Sequence, residues 1–246
     1  MLELLGLPAQ AAQHASGVDR LLTEVHWLMA AMFVGWGLLF LFILVRFRRG
    51  ANPQADYVGT RGAAAKFAVG VVVLEAVLII LHAWPVWATR TPVEPPSGEA
   101  TVIRVVAEQF AWNAHYPGPD GRFGRVSLDL ISPSNPLGLD RADPLAADDV
   151  TTVNQLVLPL DRTVVIRLSS KDVVHSFWIP EMRVKHDVVP GLEQTVWFTP
   201  TLAGDYEVAC SQLCGLAHFR MRAAVSVRPP ADVEAFLAEE LRNQVR

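Results

Sequence analysis

Two cysteines, a histidine and a methionine fall within residues 210–221, which read Cys-Ser-Gln-Leu-Cys-Gly-Leu-Ala-His-Phe-Arg-Met. A second histidine, His175, begins a strand-like run upstream of this cluster. Thiolate, imidazole and thioether ligands together suit copper, whereas a thioether is a poor ligand for zinc. Two thiolates can bridge two metal ions and leave one imidazole for each. The cluster therefore indicates a dinuclear copper site, with Met221 and a backbone carbonyl as weak outer ligands.

Simpler explanations exist for each of these residues taken alone. A Cys210–Cys214 disulfide can form in an oxidising compartment, and a single histidine in a strand or a methionine in a core is common. None of these explanations requires His218 and Met221 at these offsets, so the joint pattern favours copper. A covalent c-type haem is excluded because neither cysteine begins a Cys-x-x-Cys-His sequence.

Two apolar stretches precede this cluster in a chain of 246 residues, of which 51% are hydrophobic and 19% charged. Residues 26–45 carry no formal charge, and residues 67–87 carry only Glu75. A membrane-spanning helix needs about 20 mainly apolar residues, whereas a buried helix of a small soluble domain is rarely apolar all round. We expect a transmembrane hairpin within residues 26–90, with helices at about 26–46 and 64–88.

Basic residues set the expected orientation of this hairpin. The connecting loop is basic, with Arg46, Arg48 and Arg49 at its start, whereas residues 1–25 hold one base, Arg20, and three acids. The positive-inside rule places the loop in the cytoplasm. We therefore expect a bacterial inner-membrane protein whose segment 1–25, C-terminus and copper domain lie on the outer side. Residues 1–25 lack the basic start and apolar core of a secretory signal peptide.

The composition changes after the hairpin. Residues 91–100 form a Pro-rich linker. Residues 101–230 contain short β-branched runs separated by turns, which is typical of an antiparallel sandwich or barrel. The apolar spacing of residues 231–246 predicts a C-terminal helix. The seven predicted strands are Thr101–Phe110, Asn154–Leu158, Thr163–Leu168, Val173–Ile179, Thr195–Phe198, Tyr206–Ala209 and Met221–Val227.

Segment 210–221 resembles the CuA motif Cys-x-x-x-Cys-Gly-x-x-His-x-x-Met of cytochrome c oxidase subunit II. The resemblance also covers the hairpin, the aromatic motif at 109–112 and the segments 175–180 and 185–191. It implies a membrane-anchored all-β protein, with a two-helix hairpin followed by a cupredoxin-like Greek-key β-barrel. It also implies the copper ligands. These are Cys210 and Cys214 as bridges, His175 and His218 as terminal ligands, Met221 as axial ligand, and Gln212 through its main-chain carbonyl.

The resemblance further implies an electron relay. A cytochrome c reduces the two copper ions of CuA, and electrons pass to haem and CuB in subunit I, where oxygen is reduced and protons are pumped. This chain then contains no catalytic residue of its own. We expect as partners subunit I, other oxidase subunits, a separate cytochrome c and membrane lipid. The net charge of −4 gives no support to nucleic-acid binding.

Three departures from the family pattern bear on function. Gln212 stands where many members have a magnesium-binding glutamate, and an amide is a poor ligand for a hard cation, so we do not expect magnesium. Phe110 aligns with the usual donor-facing tryptophan, which leaves Phe110, Trp112 and His218 as electron-transfer candidates. Glu75 lies mid-helix, where a charge is costly, and is either a protonated structural group or part of a proton path.

Docking of the donor has two possible sites. The segment 128–150 is rich in acids, including Asp143, Asp148 and Asp149, and suits a basic cytochrome c. Otherwise docking is apolar, through Trp178 and Phe219.

Two alternative functions remain open. A copper-carrying subunit of a nitric oxide reductase shares the ligand set. A membrane-anchored copper chaperone of the thioredoxin-like fold would need strands alternating with helices.

Overall fold

The computed structural model describes residues 4, 6–48, 50, 61–89 and 100–244. These residues divide into two compact units. A helical unit lies within Gly17–Thr91, and a β unit combines Glu3–Ser16 with Pro92–Arg246. Residues 91–99 of the expected linker and most of the expected cytoplasmic loop lie outside the described residues.

Two long helices form the helical unit. Helix α1 spans Ala15–Arg46 and helix α2 spans Arg61–Leu78, which continues through a π-helical turn at Ile79–Ala83 into α3 at Trp84–Ala88. Segments Ala15–Arg46 and Gly62–Ala88 are each long and apolar enough to span a membrane. Their large side chains, such as Phe33 and Val72, are exposed rather than packed into a core, which fits a lipid environment.

Helix α1 differs from its expected start at residue 26, because it begins at Ala15. Counting uncharged residues locates the hydrocarbon-spanning part, but a helix continues into the interface and beyond as long as its backbone bonds are satisfied. Asp19, Arg20 and Glu24 occupy this polar extension. Residues 1–25 are therefore not one separate segment, since their second part is helical.

Ten strands, described within residues 100–244, form the β unit. They are β1 (Thr101–Glu108), β2 (Ala111–Tyr116), β3 (Val150–Val153), β4 (Gln155–Pro159), β5 (Val164–Ser170), β6 (His175–Ile179), β7 (Val184–Val188), β8 (Gln194–Phe198), β9 (Gly204–Cys210) and β10 (Arg222–Arg228). They make two five-stranded sheets, in the orders β3-β2-β1-β5-β8 and β4-β10-β9-β6-β7. Helix α4 (Pro230–Gln244) follows β10.

The core lies where apolar side chains alternate toward the inside of the strands. In β1, Ile103, Val105 and Ala107 are buried while their neighbours are partly exposed, as the two-residue period of a strand requires. The large buried side chains Trp112 and Phe177 contribute to the same core cluster. This all-β domain after two apolar helices is the fold class that the sequence predicts.

Three strands and two strand pairings differ from the expectation. Strands β2, β3 and β7 were not predicted, because β2 is buried almost throughout without alternation and β7 reads Val-Lys-His-Asp-Val. The sheets are also not purely antiparallel, since β1 pairs with β5 and β10 with β4 in parallel. Parallel pairing needs a long connection, and the intervening strands supply it.

The N-terminal segment belongs to the β unit. The Ala11 amide donates to the carbonyl of Glu181 (2.9 Å), and the Thr201 amide donates to the carbonyl of Ala11 (2.9 Å). Ala11 and Ala12 are buried in the core cluster. The segment before α1 therefore adds to the domain through backbone hydrogen bonds.

Candidate metal centre

Two neighbouring strands carry the first two candidate ligands. His175 is the first residue of β6 and Cys210 the last residue of β9, and these strands pair antiparallel with Phe177 opposite Cys210. The remaining ligands lie in the loop from β9 to β10. A 3₁₀ turn at His218–Arg220 precedes Met221. Met221 lies next to Cys210, whose amide donates to the Met221 carbonyl (3.1 Å). This loop, residues 210–221, is called the copper loop below.

The structure brings all six sequence-predicted ligands together. The Sγ atoms of Cys210 and Cys214 are 3.8 Å apart. Nδ1 of His175 lies 4.0 Å from the Cys210 sulfur, and Nδ1 of His218 lies 3.6 Å from the Cys214 sulfur. The Met221 Sδ lies 3.1 Å from the His175 Nδ1 and 3.7 Å from the Cys214 sulfur. The Gln212 carbonyl lies 3.2 Å from the Cys210 sulfur.

The donor set fits a pair of soft metal ions. Both cysteines are free thiols and both are buried, and the ligand atoms of His175, Cys210 and Cys214 lie within 4.8 Å of one another. An S–S bond requires about 2.05 Å between the sulfurs, so the 3.8 Å separation is not that of a disulfide. Two sulfurs at this distance, flanked by two imidazole nitrogens and a thioether, match the ligand preferences of copper.

The two thiols differ in acidity. Burial acts to raise the pKa of Cys210, but hydrogen bonds with His175 and with the backbone outweigh it and lower this pKa to about 6. Burial, and then the charge of Cys210, raise the pKa of Cys214 to about 11. Cys214 is therefore the weaker acid of the two, and its thiol must release a proton to act as a ligand.

Asp172 is a neighbour of the candidate ligands that the sequence did not reveal. Its Oδ1 accepts a hydrogen bond from Nε2 of His175 at 2.8 Å, which leaves Nδ1 facing the sulfurs. Burial acts to lower the pKa of His175, but its bonds to Cys210 and Asp172 outweigh this and raise it. An outer carboxylate of this kind fixes the tautomer and the orientation of a ligating histidine. The only sequence signal is its position three residues before His175.

The aromatic candidates lie in different places. Trp112 is 0% exposed and packs edge-on against His175 and Phe177, with ring centroids 6.1 and 5.6 Å apart. An external donor therefore cannot touch Trp112. Phe110 is partly buried beside Gly215 of the copper loop, and Trp178 is 39% exposed.

The acidic segment is less available than its sequence indicates. Asp149 is fully buried, where its Oδ2 accepts hydrogen bonds from His115 (2.7 Å) and from the Gly124 amide (2.8 Å). Asp149 therefore cannot belong to a docking surface. Asp143 and Asp148 remain half-buried at the surface.

Glu75 of α2 is exposed. On the same helical segment, Nδ1 of His82 lies 2.5 Å from a carboxylate oxygen of Glu24 in α1. No ion pair or hydrogen bond of Glu75 occurs among the described residues. The π-helical turn at Ile79–Ala83 follows Glu75 and includes His82.

Comparisons with known proteins agree with the motif. The family described as cytochrome c oxidase subunit II, periplasmic domain, matches residues 101–227. The chain is 34% identical over 237 residues to the alternative cytochrome c oxidase subunit 2 of Bradyrhizobium diazoefficiens, covering 91% of this chain and 80% of that protein. It is 30% identical over 254 residues to cytochrome c oxidase subunit 2 of Thermostichus vulcanus, covering 94% and 77%.

A solved structure shows a partial likeness. The crystal structure of the periplasmic domain of subunit II of cytochrome oxidase from Bradyrhizobium japonicum is 25% identical and covers 59% of this chain and 97% of that chain, with a TM-score of 0.44. From the family match and the two long alignments, we conclude that the chain belongs to the cytochrome c oxidase subunit II family.

Proposed function

We propose that this chain accepts electrons at a dinuclear copper centre held by the copper loop and His175, and passes them to haem and CuB in subunit I. Oxygen reduction and proton pumping would occur in that partner. The observation that carries the proposal is the convergence of two free, buried thiols 3.8 Å apart with two imidazoles and a thioether.

The chain's own residues supply a preorganised binding site. Cys210 and Cys214 would bridge the two ions, His175 and His218 would each hold one, and Met221 and the Gln212 carbonyl would be weak ligands. When bound, the copper pair supplies a one-electron redox couple. Because the strands β6 and β9 and the buried ring of Trp112 fix the ligands, the site can change little in shape between its redox states.

A metal count and a spectrum test this proposal. The purified full chain should bind two copper ions, and its paramagnetic resonance spectrum should show seven hyperfine lines from one electron shared by two copper nuclei. One copper per chain with four lines would contradict the dinuclear centre. Cys210→Ser or Cys214→Ser should abolish the centre, whereas Met221→Leu should mainly shift its reduction potential, because the axial ligand is weak.

The membrane placement extends the proposal. Two spans joined by a loop that begins with Arg46 and Arg48 suit a bacterial inner-membrane protein with its loop in the cytoplasm. The copper domain and both termini then lie on the outer side, where a separate cytochrome c can reach them. In this arrangement Glu75 lies within the second span and is a candidate proton-path group.

The copper-chaperone alternative is disfavoured by the topology. The thioredoxin-like fold that it requires alternates strands with α-helices. Among residues 100–244, no α-helix lies between β1 and β10.

A further inference from the structure

We propose that Gln109 is a positioning residue of the metal centre. Through one main-chain and one side-chain hydrogen bond, it holds the His175 side of the site and the copper loop in their relative positions. This inference rests on the proposed copper function and assigns a role to a residue that is not itself a ligand. Gln109 lies in the turn between β1 and β2. Both strands belong to the sheet that carries none of the candidate metal ligands.

The main chain of Gln109 reaches the histidine side of the site. Its amide donates to Oδ2 of Asp172 at 2.7 Å, and the other oxygen of that carboxylate accepts from His175 at 2.8 Å. Each Asp172 oxygen thus has its own partner. The carboxylate that orients His175 is therefore itself held by the Gln109 backbone.

The side chain of Gln109 reaches the cysteine side. Its Nε2 donates to the main-chain carbonyl of Cys214 at 2.5 Å. A carbonyl can only accept, so the NH₂ end of the amide must face it. Gln109 thereby contacts both the carbonyl of Cys214 in the copper loop and the Asp172 carboxylate that orients His175.

The copper loop is shaped to receive this amide. Gly215, which follows Cys214, has a φ of +140°, and a Cβ atom there would lie 2.7 Å from Nε2 of Gln109 and 3.1 Å from the Phe110 ring. A side chain at this position would displace the amide, and the backbone conformation itself favours glycine. Gly215 therefore allows the turn and the loop to approach closely enough for the bond.

The chemistry of the position favours glutamine. Leucine matches its size but has no donor. An ionised glutamate is only an acceptor and would face the Cys214 carbonyl with no donor to offer it. Loss of this hydrogen bond should increase the mobility of the Cys214–Gly215 backbone. The fold should persist, because Gln109 is a turn residue at the surface.

The experiment compares Gln109→Leu and Gln109→Glu with the wild-type full chain in detergent. The matched control is Gln244→Leu, because Gln244 also bonds a backbone group through its side chain, on β3. Copper affinity is measured by competition with a chelator, together with the paramagnetic resonance spectrum. Hydrogen exchange at the amides of residues 214–218 is measured in the metal-free chain.

We expect both Gln109 variants to lose copper affinity by about 10- to 100-fold, the range typical for outer-shell partners of metal ligands. Their hyperfine pattern should change, and exchange at residues 214–218 should accelerate without metal, while Gln244→Leu matches the wild type. Wild-type affinity, spectrum and exchange in both Gln109 variants would overturn the proposal. So would equal losses in all three variants, which would indicate general destabilisation.

Two further outcomes have a defined interpretation. If Gln109→Leu does not fold, as judged by circular dichroism, the Gln109→Glu variant decides alone, because it keeps the shape of the native side chain. Failure of the wild type itself to bind two copper ions would refute the proposed centre. In that case the exchange measurement on the metal-free chain still tests whether Gln109 holds the loop.

Discussion

Truncation of Trp112 to alanine should destabilise the β unit by about 3–5 kcal/mol, the usual range for a buried aromatic side chain, and the contributions from its surroundings bracket that range. The ring is fully buried, and an aromatic side chain buries about 150–250 Å², which at about 25 cal/mol/Å² stabilises by about 4–6 kcal/mol. The edge-on contacts with His175 and Phe177 add about 1–2 kcal/mol. Among the described residues the indole Nε1 has no hydrogen-bond partner, and this offsets about 1–3 kcal/mol.

Because the indole nitrogen has no hydrogen-bond partner among the described residues, Trp112→Ala and Trp112→Phe should differ in stability. Trp112→Ala loses the whole ring and should cost the full amount, in line with the range for such truncations. Trp112→Phe keeps an aromatic ring in the same place and removes the buried N–H group. Its loss of burial is thus largely compensated, and we expect a change within about 1 kcal/mol.

Thermal unfolding of the metal-free full chain, followed by far-ultraviolet circular dichroism of the β signal, measures the difference. For a domain of roughly 150 residues, about 1 kcal/mol shifts the midpoint by about 2–4 °C, so Trp112→Ala should lower it by about 10 °C. Trp178→Ala is the control, because Trp178 is partly exposed. Equal shifts for Trp112→Ala and Trp178→Ala would refute the burial reasoning. A Trp112→Phe variant as unstable as Trp112→Ala would refute the role of the N–H group.

Three other predictions concern pH, protons and docking. Burial lowers the pKa of His115 despite its hydrogen bond to Asp149. Neutral His115 therefore contributes its full stabilisation above about pH 6.5, the pKa of histidine in the unfolded chain, and this contribution declines as pH falls below that value. Urea unfolding at pH 7.5 and 5.5 should show the lower stability at pH 5.5, and this difference should be smaller in His115→Gln. Glu75→Gln should slow turnover of the assembled oxidase while copper reduction stays fast, and unchanged turnover and pumping would leave Glu75 with a structural role. Stopped-flow reduction by a basic cytochrome c should slow as salt rises, and replacing Asp143 and Asp148 with asparagine should flatten that dependence; a rate independent of salt would indicate apolar docking instead, at the strongly exposed Phe219.

Local sequence was sufficient for features that depend on neighbouring residues. The spacing of Cys210, Cys214, His218 and Met221 is set within one loop, so their chemistry could be predicted from residue types alone. The two long apolar helices were predictable because a helix that crosses hydrocarbon requires a continuous apolar stretch of fixed length. The alternating strands, such as β1, were predictable for a similar reason, since one face of each is buried.

Tertiary structure decided what depends on residues that are distant along the chain. Asp172 and Gln109 contact the ligands through single hydrogen bonds, and no periodic pattern signals such contacts. Whether Trp112 faces a donor or the core depends on how the two sheets pack, and the hydrogen bonds from His115 and Gly124 offset the cost of burying the Asp149 carboxylate. The pairing of β1 with β5 likewise depends on the order of strands in the sheet. Side-chain types and local periodicity carry no information about which distant segments will meet, so these features followed only from the folded chain.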